Sequence, residues 1–223
     1  MLSQTVQSDA QYIYDNYHND PVGYCYDVLQ IEKLEDWQAD ALKALLNNQR
    51  ISVASGHGIG KTFGIAIIIH WFISTRPYPQ IVVTANTKNQ LDSKTWRELG
   101  KINARALNRD WFTKTATKFF LKDAPDRWFA SAIPWSENNS EAFAGTHEDH
   151  VLIVFDEASA IPDIIWDVCE GAMTTKGARW VAFGNPTKNT GRFRECWGKF
   201  AHRWTTKQVD SSTVSITDKD QIK

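Results

Sequence analysis

The sequence predicts an α/β fold, a mostly parallel sheet covered by helices on both faces. Two observations carry that expectation. Short, almost wholly apolar runs at residues 51–54, 80–85, 151–155 and 179–183 have the length and composition of buried strands, and helical stretches separate them. Between the first run and an apolar helix lies Ser55-Gly56-His57-Gly58-Ile59-Gly60-Lys61-Thr62, a glycine-rich loop in a strand–turn–helix setting. Ligands of such sheets sit beyond the carboxyl ends of the strands.

Each element follows from its local pattern. Residues 8–30 read as helical, interrupted at Pro21 and Gly23. Trp37, Ala41, Leu42 and Leu45 fall at helical spacing and predict a helix over 35–46. After strand 51–54, a helix opens at Lys61 and runs to Ile73. Its run from Ile65 to Ile73 is far shorter than the ~20 apolar residues that span a bilayer, so it reads as a buried helix. Residues 75–79, with Pro77 and Pro79, form a turn before strand 80–85. Residues 89–107 read as an exposed amphipathic helix. Residues 118–121 and 127–130 resemble two strands joined by 122–126. A polar loop is expected over 136–140, a strand over 151–155, a helix over 164–172 and a strand over 179–183.

Composition sets bounds. With 223 residues, 42% of them hydrophobic, the chain can bury one good core and a small appendage. A net charge of −1 makes no gross electrostatic case for nucleic acid; any such contact needs a local basic strip or an assembly of subunits. Cys25, Cys169 and Cys196 are odd in number and lack metal-ligand spacing, which suits free thiols in a reducing cytosol. The first residues lack the basic and apolar regions of a signal peptide. His70, Trp71, Trp128, Trp166 and Trp180 lie in apolar runs and are read as core residues.

The chemistry gathers at the strand ends. In the loop from Ser55 to Thr62, glycines let backbone N–H groups wrap a triphosphate, and the helix N-terminus adds partial positive charge. Lys61 is expected to reach the β- and γ-phosphates, and the Thr62 hydroxyl to hold Mg²⁺. The usual pattern begins with glycine where this chain has Ser55, although Gly56, Gly58 and Gly60 keep a tight loop feasible. Asp156 and Glu157 emerge from the most strand-like run; Asp156 is expected to hold Mg²⁺ and Glu157 to polarise the attacking water. Gln38, beside Trp37, is either a reader of the adenine edge or a surface glutamine next to a core tryptophan. Asn185, in Gly184-Asn185-Pro186-Thr187, either meets the γ-phosphate or the attacking water, or is a turn residue. Thr84, Ala85, Asn86 and Gln90 end their strand in a comparable place.

Taken in order, these elements resemble the ATPase domain of the large terminase subunit of tailed bacteriophages. The resemblance spans about residues 35–194. It rests on Trp37-Gln38, the phosphate loop, Thr84-Ala85-Asn86 with Gln90, Phe143-Ala144-Gly145-Thr146-His147, Asp156-Glu157-Ala158, Ile161-Pro162-Asp163, Trp166 and Gly184-Asn185-Pro186-Thr187. It implies a RecA-like ATPase of the ASCE class that binds ATP and Mg²⁺ and drives double-stranded DNA into a procapsid. The implied partners are DNA, the portal protein and the small terminase subunit. The working form would be a homo-oligomeric ring on the portal, with the isolated chain monomeric, in the cytoplasm of the bacterial host. Lys61, Glu157 and Asn185 would be catalytic, Asn185 in a segment that couples hydrolysis to movement. Gln38 and the loop Ser55, Gly56, His57, Gly58, Ile59, Gly60, Lys61 and Thr62 would bind nucleotide, and Thr62 and Asp156 the metal.

Two departures stand out. Many relatives carry an arginine in the phosphate loop, where this chain offers only His57; a neighbouring subunit would then supply one, with Arg97 and Arg105 as candidates. The family's nuclease domain has no counterpart in the 38 residues after Asn185, and Asp210, Asp218 and Asp220 lie in a polar tail, so ATP hydrolysis without DNA cleavage is expected. The expected division is a helical extension over 1–34, a P-loop ATPase domain over 35–205 and a polar tail over 206–223. Two other readings compete: a helicase-like nucleic-acid translocase, which would need a second RecA-like domain, and a non-hydrolysing nucleotide-dependent assembly module, for which Glu157 would have no use.

Overall fold

Eight strands form one sheet in the order β3-β4-β5-β2-β6-β7-β1-β8. The computed structural model describes residues 4–85, 87–135 and 148–217. The strands are β1 (Arg50–Ser55), β2 (Gln80–Thr84), β3 (Phe112–Lys114), β4 (Lys118–Leu121), β5 (Phe129–Ala132), β6 (Val151–Asp156), β7 (Arg179–Gly184) and β8 (Thr205–Val209). All neighbours from β5 to β8 pair in parallel, while β3-β4 and β4-β5 are antiparallel. The expected mixed, mostly parallel α/β architecture is therefore observed.

Alternation along the central strands explains the two layers. Ile51, Val53, Leu152 and Val154 face a core built with α1 (Gln4–Tyr17), α2 (Pro21–Asp27), α3 (Asp36–Asn47) and α4 (Lys61–Ser74). Ala54, Ile153 and Phe155 face the other core, with α7 (Asp163–Glu170) and Phe193 of α8 (Arg192–Glu195). There Phe155, Trp166, Trp180 and Trp204 pack mostly edge to face, at centroid distances of 4.8 to 5.7 Å. Residues Gly64 to Ser74 of α4 are all buried, which is why that helix is apolar on every side. No helix among the described residues is long and apolar enough to cross a membrane.

Several elements differ from the sequence expectation. The stretch read as one exposed helix over 89–107 is α5 (Lys88–Gln90), a π-helical turn (Leu91–Trp96) and α6 (Arg97–Arg105), and it buries Leu91, Thr95, Trp96, Leu99 and Ile102. Strand β5 starts two residues later than expected, because Trp128 is buried and donates its Nε1–H to the Ile73 carbonyl at 2.6 Å. The sheet also continues past residue 205: β8 runs parallel to β1, from Ile51 opposite Thr205 to Ser55 opposite Val209. The expected loop over 136–140, the Phe143–His147 motif, Asn86, Asp218 and Asp220 lie outside the described residues.

His70 is the core histidine expected. Its Nε2–H donates to Asn103 Oδ1 at 3.1 Å and its Nδ1 accepts from the Tyr24 hydroxyl at 2.9 Å, with the stacked Phe112 and Phe119 rings beside it. Burial pushes its pKa down to about 4. The unfolded chain then binds this proton from about pH 6.5 downward and the folded chain only near pH 4. Stability is full above pH 6.5 and falls as pH drops through that window, by about 3 kcal/mol. Denaturant melts should show the gap between wild type and His70→Gln narrowing by about 2–3 kcal/mol from pH 7.5 to pH 4.5; a constant gap would contradict this account.

Candidate functional site

The loop after β1 turns back on itself through two left-handed glycines, Gly58 at φ 78° and Gly60 at φ 85°. Their positive φ values are what an L side chain resists, so the loop's shape depends on them. Helix α3 clamps the loop from below: Trp37 Nε1 donates to the Ile59 carbonyl and Gln38 Nε2 to the Gly60 carbonyl, each at 3.2 Å. Gln38 Oε1 also accepts the Glu35 N–H at 3.1 Å, closing the start of α3. Gln38 is buried, and in this arrangement one amide N–H remains for a further partner. Residues after β8 pack on the same loop. A Cβ at Gly56 would sit 2.5 Å from Ser211 Oγ, and one at Gly60 would sit 3.0 Å from Ile216 Cδ1.

Lys61, the first residue of α4, is buried with its ammonium in the loop. It donates to Gly56 O at 2.6 Å, Ser55 Oγ at 3.1 Å and Asn185 Oδ1 at 2.6 Å. Burial lowers its pKa, opposed by the charges of Glu157 and Asp156 and reinforced by Lys94. Asn185 comes from the end of β7, and its Nδ2 donates to His57 Nε2 at 2.7 Å. The amide thus bridges the buried ammonium and the His57 ring of the loop. Thr62 is half-buried, beside Lys61 in the first turn of α4.

Asp156 ends β6, buried, between the strands that carry Thr84 and Asn185. Its Oδ2 accepts from Thr95 Oγ1 at 2.5 Å and its Oδ1 from the Glu157 N–H at 3.0 Å. Burial raises its pKa; the Thr95 hydrogen bond pulls it down and the Glu157 charge pushes it up. Glu157 is left-handed, at φ 55° and ψ 45°. A non-glycine residue in that region costs of order 1–3 kcal/mol, and such strain gathers at functional sites. The turn after it packs closely on β7: a Cβ at Gly184 would lie 3.0 Å from the Ala158 nitrogen. Ser159 and Thr187 hydroxyls join the two segments at 3.1 Å.

The fold therefore gathers Lys61, Asn185 and His57 by direct contact, with Asp156 and Glu157 electrostatically felt at Lys61. Of the arginines considered, Arg105 donates to the Gln30 carbonyl, while Arg97 is exposed with no partner among the described residues. Thr84 Oγ1 and Gln90 Oε1 are buried without a hydrogen-bond partner among the described residues. Thr95 and Lys94 escaped the sequence reading. A five-residue gap between Leu91 and Trp96 was the available signal, since it exceeds α-helical spacing. The described residues hold no group of three or more His, Cys, Asp or Glu side chains able to ligate a metal, and all three cysteines are free and buried.

No protein-family model matches the chain. By sequence, it is 32% identical over 178 residues to a probable terminase large subunit of Enterobacteria phage P7, a match that covers 77% of this chain and 36% of that protein. This chain thus spans about a third of its curated relative. By fold, it is similar to a point mutant of the large terminase ATPase domain of Thermus phage P74-26, with a TM-score of 0.66, 15% identity and coverage of 85% and 86% of the two chains. It is also similar to the HK97 large terminase, with a TM-score of 0.62, 14% identity and coverage of 96% and 46%. The large terminase of a thermophilic bacteriophage, solved in complex with ADP, superposes with a TM-score of 0.59 at 12% identity, over 86% and 48%. The sequence relationship and the shared RecA-like architecture together place the chain in the terminase large-subunit family, with the fold of its ATPase domain.

Proposed function

We propose that this chain is the ATP-hydrolysing motor domain of a phage or prophage terminase large subunit and powers translocation of double-stranded DNA into a procapsid. The observation that carries the reading is the meeting of Lys61, from the loop after β1, with Asn185, from the end of β7, at 2.6 Å. Asp156 and Glu157 sit at the end of the adjacent β6. The sequence separates these groups by up to 124 positions, and the parallel sheet brings them to one edge.

The residues present fit a nucleotide with Mg²⁺. The two left-handed glycines and the start of the fourteen-residue α4 offer backbone N–H groups to phosphates. Thr62 and the oriented carboxylate of Asp156 would hold Mg²⁺, which when bound supplies charge neutralisation at the phosphates. Lys61 binds phosphate, and its contacts with Gly56 and Asn185 keep the ammonium within the loop. Glu157 polarises the attacking water, from a left-handed backbone position just past the end of β6. Asn185, bonded to Lys61, is placed to couple phosphate occupancy to the β7 segment. Gln38 holds the loop at Gly60 and keeps one N–H for the base. Of the two candidate arginines, Arg97 is exposed without a partner among the described residues and is the one proposed to reach a neighbouring subunit. By the same reading the partners are DNA, the portal protein and the small terminase subunit. The working form is a ring on the portal in the host cytoplasm.

The purified chain should show slow Mg²⁺-dependent ATP hydrolysis that rises several-fold with double-stranded DNA. A rate indifferent to DNA, alone and with portal present, would remove the motor reading and leave a generic ATPase.

A further inference from the structure

The π-helical turn after β2 sends an uncharged side chain into the acidic end of the site. Thr95 is fully buried, and its hydroxyl donates to Asp156 Oδ2 at 2.5 Å. The next residue, Trp96, is also buried but anchored elsewhere, its Nε1–H bonded to the Thr115 carbonyl at 2.9 Å. Two consecutive inward side chains with separate targets are what a wide π turn permits, and such turns gather at functional sites. Lys94, one residue earlier, is exposed and its charge is felt at Lys61, so this turn flanks the phosphate loop.

We infer that Thr95 is a positioning residue for the metal-binding carboxylate: its hydroxyl on Oδ2 fixes the rotation of Asp156, so that the group is presented in a single orientation. The inference rests on the assignment of Asp156 to Mg²⁺ made above. The second carboxylate oxygen, Oδ1, is held at 3.0 Å by the Glu157 N–H. That bond comes from a backbone already strained into the left-handed region, so Thr95 supplies the side-chain restraint on this pair. Without the hydroxyl, Oδ2 would be a buried charged acceptor lacking its partner, and the carboxylate would rotate toward other donors. Losing an outer partner of a metal-binding group typically costs about 10–100-fold in metal affinity.

The test compares wild type with Thr95→Val, Thr95→Ala, Thr95→Ser and Asp156→Asn. Two quantities are read: the Mg²⁺ concentration for half-maximal ATP hydrolysis, and ADP affinity measured by calorimetry with Mg²⁺ and with EDTA. Thr95→Val and Thr95→Ala should raise the half-maximal Mg²⁺ concentration about ten-fold. They should shrink the gain in ADP affinity that Mg²⁺ confers and leave the EDTA value within about two-fold. Thr95→Ser, which keeps the hydroxyl, should restore both. A lowered melting temperature with an unchanged Mg²⁺ response in both hydroxyl-free variants would show a packing role and overturn the inference. Asp156→Asn separates the two levels. If it abolishes the Mg²⁺ response while Thr95→Val and Thr95→Ala do not, the Thr95 inference alone fails. If Asp156→Asn keeps a wild-type Mg²⁺ response, the metal assignment fails and the inference falls with it.

Discussion

Glu157→Gln should abolish turnover while leaving ATP binding intact. The substitution keeps the size of the side chain and removes its capacity to take a proton from water. Loss of a positioned general base typically costs about 10²–10⁴-fold, so single-turnover rates should fall into that range. The left-handed backbone is not relieved by glutamine, so the melting temperature should stay close to wild type. Nucleotide affinity should change by less than about three-fold, because the groups assigned to phosphate, Lys61 and the loop, are untouched. Equal hydrolysis by wild type and variant would remove Glu157 from the chemistry, and a collapse in affinity would make it a binding residue.

Lys61→Ala acts at the other end of the reaction and should abolish binding itself. The wild-type ammonium is buried and already ordered against three acceptors at 2.6 to 3.1 Å, and it exchanges some of these for phosphate oxygens when nucleotide binds. Charge-assisted bonds of this kind are worth about 1.5–3 kcal/mol each, so losing two to phosphate should weaken ATP by about 100-fold or more. A ligand at about 100 times its dissociation constant stabilises the fold by ~2.7 kcal/mol, so nucleotide should raise the melting temperature of the wild type and not of Lys61→Ala. Removing the ammonium also leaves the buried Asn185 Oδ1 without its donor, and the loop should loosen where Asn185 meets His57. A variant that keeps a wild-type thermal response to ATP would show that the loop's backbone binds phosphate without its lysine.

The α/β class, the glycine-rich loop and the acidic pair at a strand end were legible because each is written in a short stretch. Burial on both faces makes central strands continuously apolar, as at Val151–Asp156, where all six residues are buried. Left-handed turns demand glycine, which marks Gly58 and Gly60 in the letters themselves. The edges of the sheet were harder. Strand β8 carries Thr205, Thr206, Lys207 and Gln208, and an edge strand with solvent on its outer side has no need of an apolar run. The helix over 89–107 looked exposed because its polar residues are plentiful. Its π turn buries Thr95 by widening the helix, a geometry that no 3.6-residue period predicts.

Sequence by itself determined the class of fold, the family resemblance and the chemical types at the site, since strand burial, glycine conformation and carboxylate chemistry are local demands. Only the tertiary structure decided who touches whom. Lys61 meets Asn185 because β1 and β7 are neighbours in a sheet whose order is not the order of the chain. Gln38 proved to be a clamp on Gly60 because α3 packs beneath the loop. Thr95 came to Asp156 from a segment whose spacing hints at a widened turn but not at this partner, because hydrogen bonds between distant residues are settled by packing, and packing is a property of the whole chain.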